Sequence, residues 1–196
     1  MRDFFYGYPR ENGEVGIRNY VLLLSGTLYA NSTCDRVCAT AANCVPIVHP
    51  LGPCQIAPDL KQTYRTLVGH GKNPNAGAVI VVDHFKEAGC TADEIAQEIA
   101  STGKPVEVVN IRRDGGAISA TAKATRLAVE LNRKITAQQR QKTPVSKLIY
   151  GINCGTSDVT SGLAHNRCVG GVADRIIEQG GRVIAAETTE MMGGEE

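Results

Sequence analysis

Ala78-Val79-Ile80-Val81-Val82-Asp83 is the stretch on which the fold turns: an unbroken apolar run closed by an acid. A strand with one wet face alternates apolar and polar side chains, so a continuous run of this kind belongs to a strand covered on both faces. Working outward, β-rich runs at 20–25, 45–48, 106–110, 148–150 and 182–186 alternate with stretches of helical periodicity. These fall at 33–42, 58–69, 92–101, 117–132 and 167–179, with Gly103 and Gly180 placed as helix stops. The alternation predicts an α/β fold, a Rossmann-like and mostly parallel sheet flanked by helices, over residues 1–140. Arg133 to Thr143 is polar and Gln-rich, ends at Pro144, and reads as a connection. Residues 144–196 read as the beginning of a second, carboxy-terminal α/β domain. Its strand, Gly-rich loop, helix and strand are too few to cover their own faces. Self-association into a homo-oligomer, or a covering partner, is expected there, and the chain is expected to be an incomplete catalytic unit.

Composition narrows the function classes. Lys and Arg number 21 against 20 Asp and Glu, so the chain lacks the basic field that binds a phosphate backbone, and no nucleic-acid partner is expected. Apolar runs are strand-sized, and the amino terminus shows no basic region followed by an apolar stretch; no membrane association is expected. Seven cysteines, an odd number without regular spacing, argue against a disulfide framework and for a reducing, cytoplasmic setting.

In an open parallel sheet, ligands bind at the carboxyl ends of the strands. Asn31 follows the first strand, and His49, Gly52 and Cys54 follow the second. Asp83, His84, Glu87 and Cys90 follow the third, Gly115 and Gly116 the fourth, Cys154, Ser157 and Asp158 the fifth, and Glu187 and Glu190 the sixth. Sulfur, imidazole and carboxylate on one edge are what a transition-metal site would use. Cys34 and Cys38, four apart on a helix, read as packing residues, as do Cys44 and Cys168. Cys54, Cys90 and Cys154 stand in loops near glycines, where packing does not call for sulfur, and both readings stay open. His49 and His165 divide between function and ordinary structure, while His70, at a helix end, reads as structural. The segment Arg112-Arg113-Asp114-Gly115-Gly116 is either an anion cradle or a charged turn.

Longer motifs are more specific. Gly7-Tyr8-Pro9-Arg10-Glu11-Asn12-Gly13-Glu14-Val15-Gly16-Ile17-Arg18-Asn19-Tyr20 resembles the signature that opens the catalytic portion of the altronate and galactarate dehydratase family, which includes the large subunit of sulfolactate sulfo-lyase. Cys154-Gly155-Thr156-Ser157-Asp158-Val159-Thr160-Ser161-Gly162-Leu163-Ala164-His165-Asn166 is similar to a second block of that family, and Glu187-Thr188-Thr189-Glu190-Met191-Met192-Gly193-Gly194-Glu195 to a third. Departures exist: Thr156 replaces a glycine, Arg167 a proline, and the family's cysteine-bearing loop after the third strand is absent.

The resemblance implies a hydro-lyase that dehydrates a sugar acid such as altronate or galactarate by metal-assisted β-elimination. It implies Fe(II), with Mn(II) as substitute, on His49, Cys54 and Cys154, and Glu187 or Glu87 as alternative ligands. His165 and Glu187 are the expected acid and base. Asn31, Ser157, Asp158, Ser161, Asn166 and Arg18 are the expected contacts to the hydroxy acid. The early position of the first motif resembles the two-subunit members, which implies a separate small subunit of the SAF type. Cys54, Cys90 and Cys154 also suggest a 4Fe-4S cluster with one open iron. Desulfonation of the sulfolactate sulfo-lyase type is an alternative, as are a non-catalytic sugar-acid or nucleotide binding module and a structural zinc domain. The missing GxGxxG argues against a dinucleotide.

Overall fold

The computed structural model describes residues 3–84, 88–155 and 158–187. The chain divides into two compact units, one of residues 7–141 and one of residues 1–6 together with 142–196.

In the first unit, β1 (Phe4–Pro9) brings the chain in from the other unit and turns back into the short β2 (Val15–Gly16), antiparallel to it with Tyr8 opposite Gly16. There follow β3 (Tyr20–Ser25), α1 (Asn31–Thr40), β4 (Cys44–Ile47), α2 (Ala57–Lys72), β5 (Ala76–Asp83), α3 (Ala92–Ala100), β6 (Val106–Asn110) and α4 (Ala117–Thr136). β3 to β6 form a four-stranded sheet in the order β4-β3-β5-β6, with every pair parallel. The chain steps from β3 outward to β4, then crosses back to β5 and on to β6. The reversal leaves a switch point between the carboxyl ends of β3 and β5.

All eight residues of β5 are buried, as its apolar run requires. Alternate side chains feed two layers. Val21, Leu23, Ile80 and Val82 pack with Cys34 and Val37 of α1 and with Leu131 of α4, whose Ala120, Ala124 and Ala128 recur every four residues along the buried face. Leu22, Leu24, Val79 and Val81 pack with Leu67 of α2 and with Ile95 and Ile99 of α3. At Gly71 a Cβ would stand 2.2 Å from the Ile99 Cδ1, so only glycine lets α2 and α3 approach this closely. Thr91 and Glu94 close the start of α3 with a reciprocal capping box. The edge strand β4 contains Pro46, which has no N–H to offer a further strand.

At the amino end of the sheet the buried Arg10 donates to the carbonyls of Pro74 (2.8 Å) and Arg18 (3.2 Å) and to the side-chain oxygens of Gln138 (3.0 Å) and Asn19 (2.9 Å). The opening motif is thus a structural tie that binds the β1–β2 turn, the start of β3, the end of α2 and the segment after α4.

The second unit holds β7 (Gln141–Pro144), β8 (Ile149–Ile152), α5 (Asn166–Glu178) and β9 (Arg182–Ala185). β8 and β9 are parallel, Ile149 opposite Arg182, and α5 buries Ala173 and Ile176. A five-residue π-helical segment, Ser161–His165, runs into α5. Here too the main chain returns: the Val145 N–H donates to the Asp3 carbonyl (3.0 Å).

Two readings need correction. The connection expected at 133–143 is shorter, because α4 continues through Thr136 and β7 begins at Gln141; the polar residues there form the exposed face of an amphipathic helix. Cys168 is exposed, not core, since it lies outside the narrow stripe that α5 buries. Among the described residues no helix is long and apolar enough to cross a membrane.

Burial pushes the Cys34 thiol up, and burial together with the neighbouring Cys44 and Asp35 pushes Cys38 up to about 12 from an ordinary value of 9.0. A raised folded value means that the contribution of the Cys38 thiol is complete below pH 9.0 and is lost as pH rises through about 12, where the unfolded chain has already released its proton. Urea midpoints of the wild type and of Cys38→Ala, compared under reducing conditions from pH 8 to pH 11, are expected to shift against the wild type as pH rises. A constant gap would show that burial does not hold the thiol protonated.

Candidate functional site

At the switch point the apolar strands end in polar groups. Asp83, which closes β5, is 2% exposed. Its Oδ1 accepts the His84 N–H (2.7 Å) and lies 3.5 Å from the Thr27 hydroxyl. The buried Ser25 hydroxyl donates to the Thr27 carbonyl (2.6 Å). Gly26 makes room for the acid, because a Cβ there would stand 3.0 Å from the Asp83 Cγ. A cavity of about 190 Å³ lined by Asp83, Thr91, Asp93, Asn110 and Arg113 opens beside it at the ends of β5 and β6. The sequence placed Asp83 on this edge without giving it a role. The available signal was an acid terminating an otherwise apolar run, since a buried carboxylate is expensive unless a site uses it.

His49 and Asn31 meet on the neighbouring strand end. The His49 Nε2 stands 3.0 Å from the Ser25 carbonyl, and its Nδ1 accepts the Leu51 N–H (3.2 Å). That pattern fits a neutral ring protonated on Nε2, with its lone pair already taken by the main chain. His49 therefore clamps the loop after β4 to the end of β3, and in this arrangement offers no nitrogen to a metal. The Asn31 Nδ2 donates to the His49 carbonyl (2.9 Å), while its Oδ1 is buried without a hydrogen-bond partner. Cys54, further along the same loop, is exposed and has a left-handed backbone, φ +67°. Arg18 lies apart from these, at the amino end of β3, where its N–H donates to the Asn75 Oδ1 (3.0 Å). Cys90 is buried in the core layer under α3.

In the second unit the structure brings Cys154 and Glu187 together, at the carboxyl ends of β8 and β9. The Cys154 N–H donates to the Glu187 Oε2 (3.0 Å), and Glu187 has a left-handed backbone, φ +62°. Asp158 accepts from the Thr160 hydroxyl (2.6 Å), the Ser161 N–H (3.0 Å) and the Ser161 hydroxyl (3.3 Å). The Thr160 hydroxyl, followed by the Ser161 N–H, holds its carboxyl below the usual carboxylate range. Asp158 thus orders the turn that enters the helix. His165 and Asn166 are exposed where the π-helical segment passes into α5, and such segments often mark functional positions. Ser157, Glu87 and Glu190 lie outside the described residues. The expected ligands are divided between the units, His49 and Cys54 in one and Cys154 in the other. Among the described residues no group of three or more His, Cys, Asp or Glu is placed to hold a metal ion.

Residues 7–136 match the family model of the D-galactarate dehydratase/altronate hydrolase second domain, and residues 145–196 match the D-galactarate/altronate dehydratase C-terminal model. The chain is 39% identical over 191 residues to the (2R)-sulfolactate sulfo-lyase subunit beta of Chromohalobacter salexigens, covering 97% of this chain and 48% of that protein. It is 28% identical to the altronate dehydratase of Bacillus subtilis and 27% identical to that of Escherichia coli, covering 97% and 96% of this chain and 40% of each relative. The chain spans about half the length, or less, of these curated relatives.

Gly26→Ala is expected to destabilise the first unit by about 1–3 kcal/mol through overpacking against Asp83. In an Asp83→Ala background the same change should cost much less, and urea unfolding of the four proteins gives the coupling directly. Additive costs would mean that Gly26 is not there for the acid.

Proposed function

The chain belongs to the D-galactarate dehydratase/altronate hydrolase family, and from that premise we propose that the whole protein is a lyase that removes water from a hydroxylated sugar acid, such as altronate or galactarate, by β-elimination. The observation that carries this is the meeting of Cys154 and Glu187, the first residues of two family motifs, at the ends of a parallel strand pair. Strand ends of this kind are where α/β proteins bind small ligands.

The chemical task is to take a weakly acidic proton from the carbon beside a carboxylate while the β-hydroxyl departs. A base removes the proton, the electron pair forms the C=C bond, the β C–O bond breaks, and an acid protonates the departing oxygen to water. Glu187 and His165 are the base and acid in this reading. The Cys154 N–H held on the Glu187 carboxylate fixes its direction, so the base does not have to be oriented during the reaction. Asp158 and Ser161 keep the entry to α5 in place, and Asn166 with Ser157 contacts the hydroxyls of the substrate. Fe(II) remains the metal that family resemblance implies, although among the described residues no group of three His, Cys, Asp or Glu is placed to hold it.

A second reading has its own support. Identity to the sulfo-lyase subunit is 39% against 28% for the dehydratase of Bacillus subtilis. Elimination of sulfite would break a C–S bond whose electron pair leaves with sulfite, so the leaving group would need no acid. That relative is a subunit beta, which favours a complex with a second chain.

The test is an anaerobic assay of the full-length protein with added Fe(II), with and without a candidate small subunit, across aldonates, aldarates and sulfolactate. Turnover is expected on one of these classes. Glu187→Gln, which removes the base, should lower it by roughly 100-fold or more while circular dichroism stays unchanged; Cys154→Ser keeps the main-chain N–H and removes the thiol that the family resemblance assigns to the metal, and should lower turnover and bound iron together. If both variants keep the wild-type rate, the pair only joins two loops; if no substrate turns over but one binds, the protein is a binding module.

A further inference from the structure

The helix that follows Cys154 in the second unit is irregular at one place only. Its first turn is capped by Asp158, whose Oδ1 accepts the Ser161 N–H (3.0 Å); it then passes through the π-helical segment Ser161–His165 and continues as α5, which packs on β8 and β9. Ser161 is 7% exposed, whereas every other described residue from Asp158 to Cys168 is exposed. Further along, Val169 is half-buried and Ala173 and Ile176 are buried. Ser161, Val169 and Ala173 therefore stand eight and four residues apart on the inward side, and His165 is the member of that series left open.

A regular α-helix does not keep such a series in line. Each residue turns the chain by about 100°, so a step of four overshoots a full turn by about 40°, and the three steps from Ser161 to Ala173 by about 120°. At that angle Ser161 would leave the side that Ala173 buries. A π-turn closes its hydrogen bond one residue later than an α-turn, winds less per residue, and takes up part of the overshoot. It lies between Ser161 and His165, where one correction keeps both on the inward side. Packing does not account for the wider turn: a Cβ on Gly162 would meet nothing within 4 Å, so this residue fills no gap.

We propose that the π-turn at Ser161–His165 is a positioning device, which lines up the Asp158–Ser161 cap and His165 on the sheet side of the helix so that the imidazole stands over the strand ends carrying Cys154 and Glu187. The inference rests on the reading of His165 as the acid of the elimination. Ser161, which the family resemblance assigns to the substrate, serves here as the anchor, with its N–H and its hydroxyl both on the Asp158 carboxylate (3.0 and 3.3 Å). Removing one residue from the segment turns the cap against His165 by about 100°. The packing of Ala173 and Ile176 lies beyond the change, so α5 stays seated, and His165 and the loop from Cys154 to Asp158 no longer keep their places together.

The full-length protein is compared with three variants: Gly162→Ala, one lacking Gly162, and one lacking Gly162 with an alanine inserted after Leu163. The shortened variant is expected to lose roughly 100-fold or more in kcat, as a misplaced acid would. Gly162→Ala and the variant with the inserted alanine keep the residue count and should stay within a few-fold of wild type. A wild-type kcat without Gly162, a loss that the inserted alanine does not repair, or an equal loss in Gly162→Ala would overturn the proposal. The second arm needs no turnover. In NMR spectra of the full chain at fixed pH, the His165 ring resonances, assigned with His165→Gln, are expected to move on Glu187→Gln. Resonances that stay in place overturn the placement, whether or not the shortened variant folds. If the wild type turns over no acid, the lyase reading fails on its own and the ring resonances still decide where His165 stands.

Discussion

A strand buried on both faces can place polar chemistry only at its two ends, and β5 imposes that constraint on the whole first unit. Its backbone is satisfied by β3 and β6, its side chains are committed to two apolar layers, and nothing polar fits between them. The carboxyl end therefore collects Ser25, Thr27 and Asp83, and the amino end collects Arg10 and Lys104. The two groups are opposite in charge and in purpose. One faces the ligand edge, where helix amino termini converge; the other is a framework of cations and carbonyls. The position of Arg18 follows from the same constraint: a residue just before β3 belongs to the framework end, however specific the motif that contains it.

Periodicity made the sheet and its helices readable, because a two-sided strand and an amphipathic helix leave different spacings of apolar residues. The runs at 20–25, 45–48, 78–82 and 106–110 reappear as β3 to β6 with shifts of a residue or two at their ends. β1 was not readable. Phe4 to Pro9 is half exposed, and what makes it a strand is its place between β2 and β7, the latter distant in sequence. The π-helical segment at Ser161–His165 was equally hidden, since a wider turn leaves no mark on an apolar pattern. At the ligand edge, sequence gave residue types and order but not hydrogen-bond partners. His49 looked available because an imidazole is a common ligand; the main chain on both of its nitrogens is a property of the folded loop alone. Cys154 and Glu187, separated by a helix in the chain, could be brought together only by the parallel pairing of β8 with β9.

Three described non-glycine residues have a left-handed backbone, and two of them, Cys54 and Glu187, are candidate site residues on chemical grounds alone. A left-handed conformation costs such a residue on the order of 1 kcal/mol, which tertiary contacts have to offset. At Glu187 the compensation is visible in the bond from Cys154. Neither position needs this conformation to continue a strand or a helix. Both therefore hold a side chain in a direction that a relaxed loop would not give it.

Strand order has a consequence for how the chain comes off the ribosome. Val21 of β3 pairs with Cys44 of β4 and with Ala78 of β5, so the first partner is synthesised well before the second. In the interval β3 and β4 form a parallel ribbon whose apolar inner strand has one bare side, a template for mispairing between nascent chains. Pro46 spoils the outer side of that ribbon as soon as it exists. The remaining vulnerability is confined to the single edge that β5 will close, and to the time that its synthesis takes.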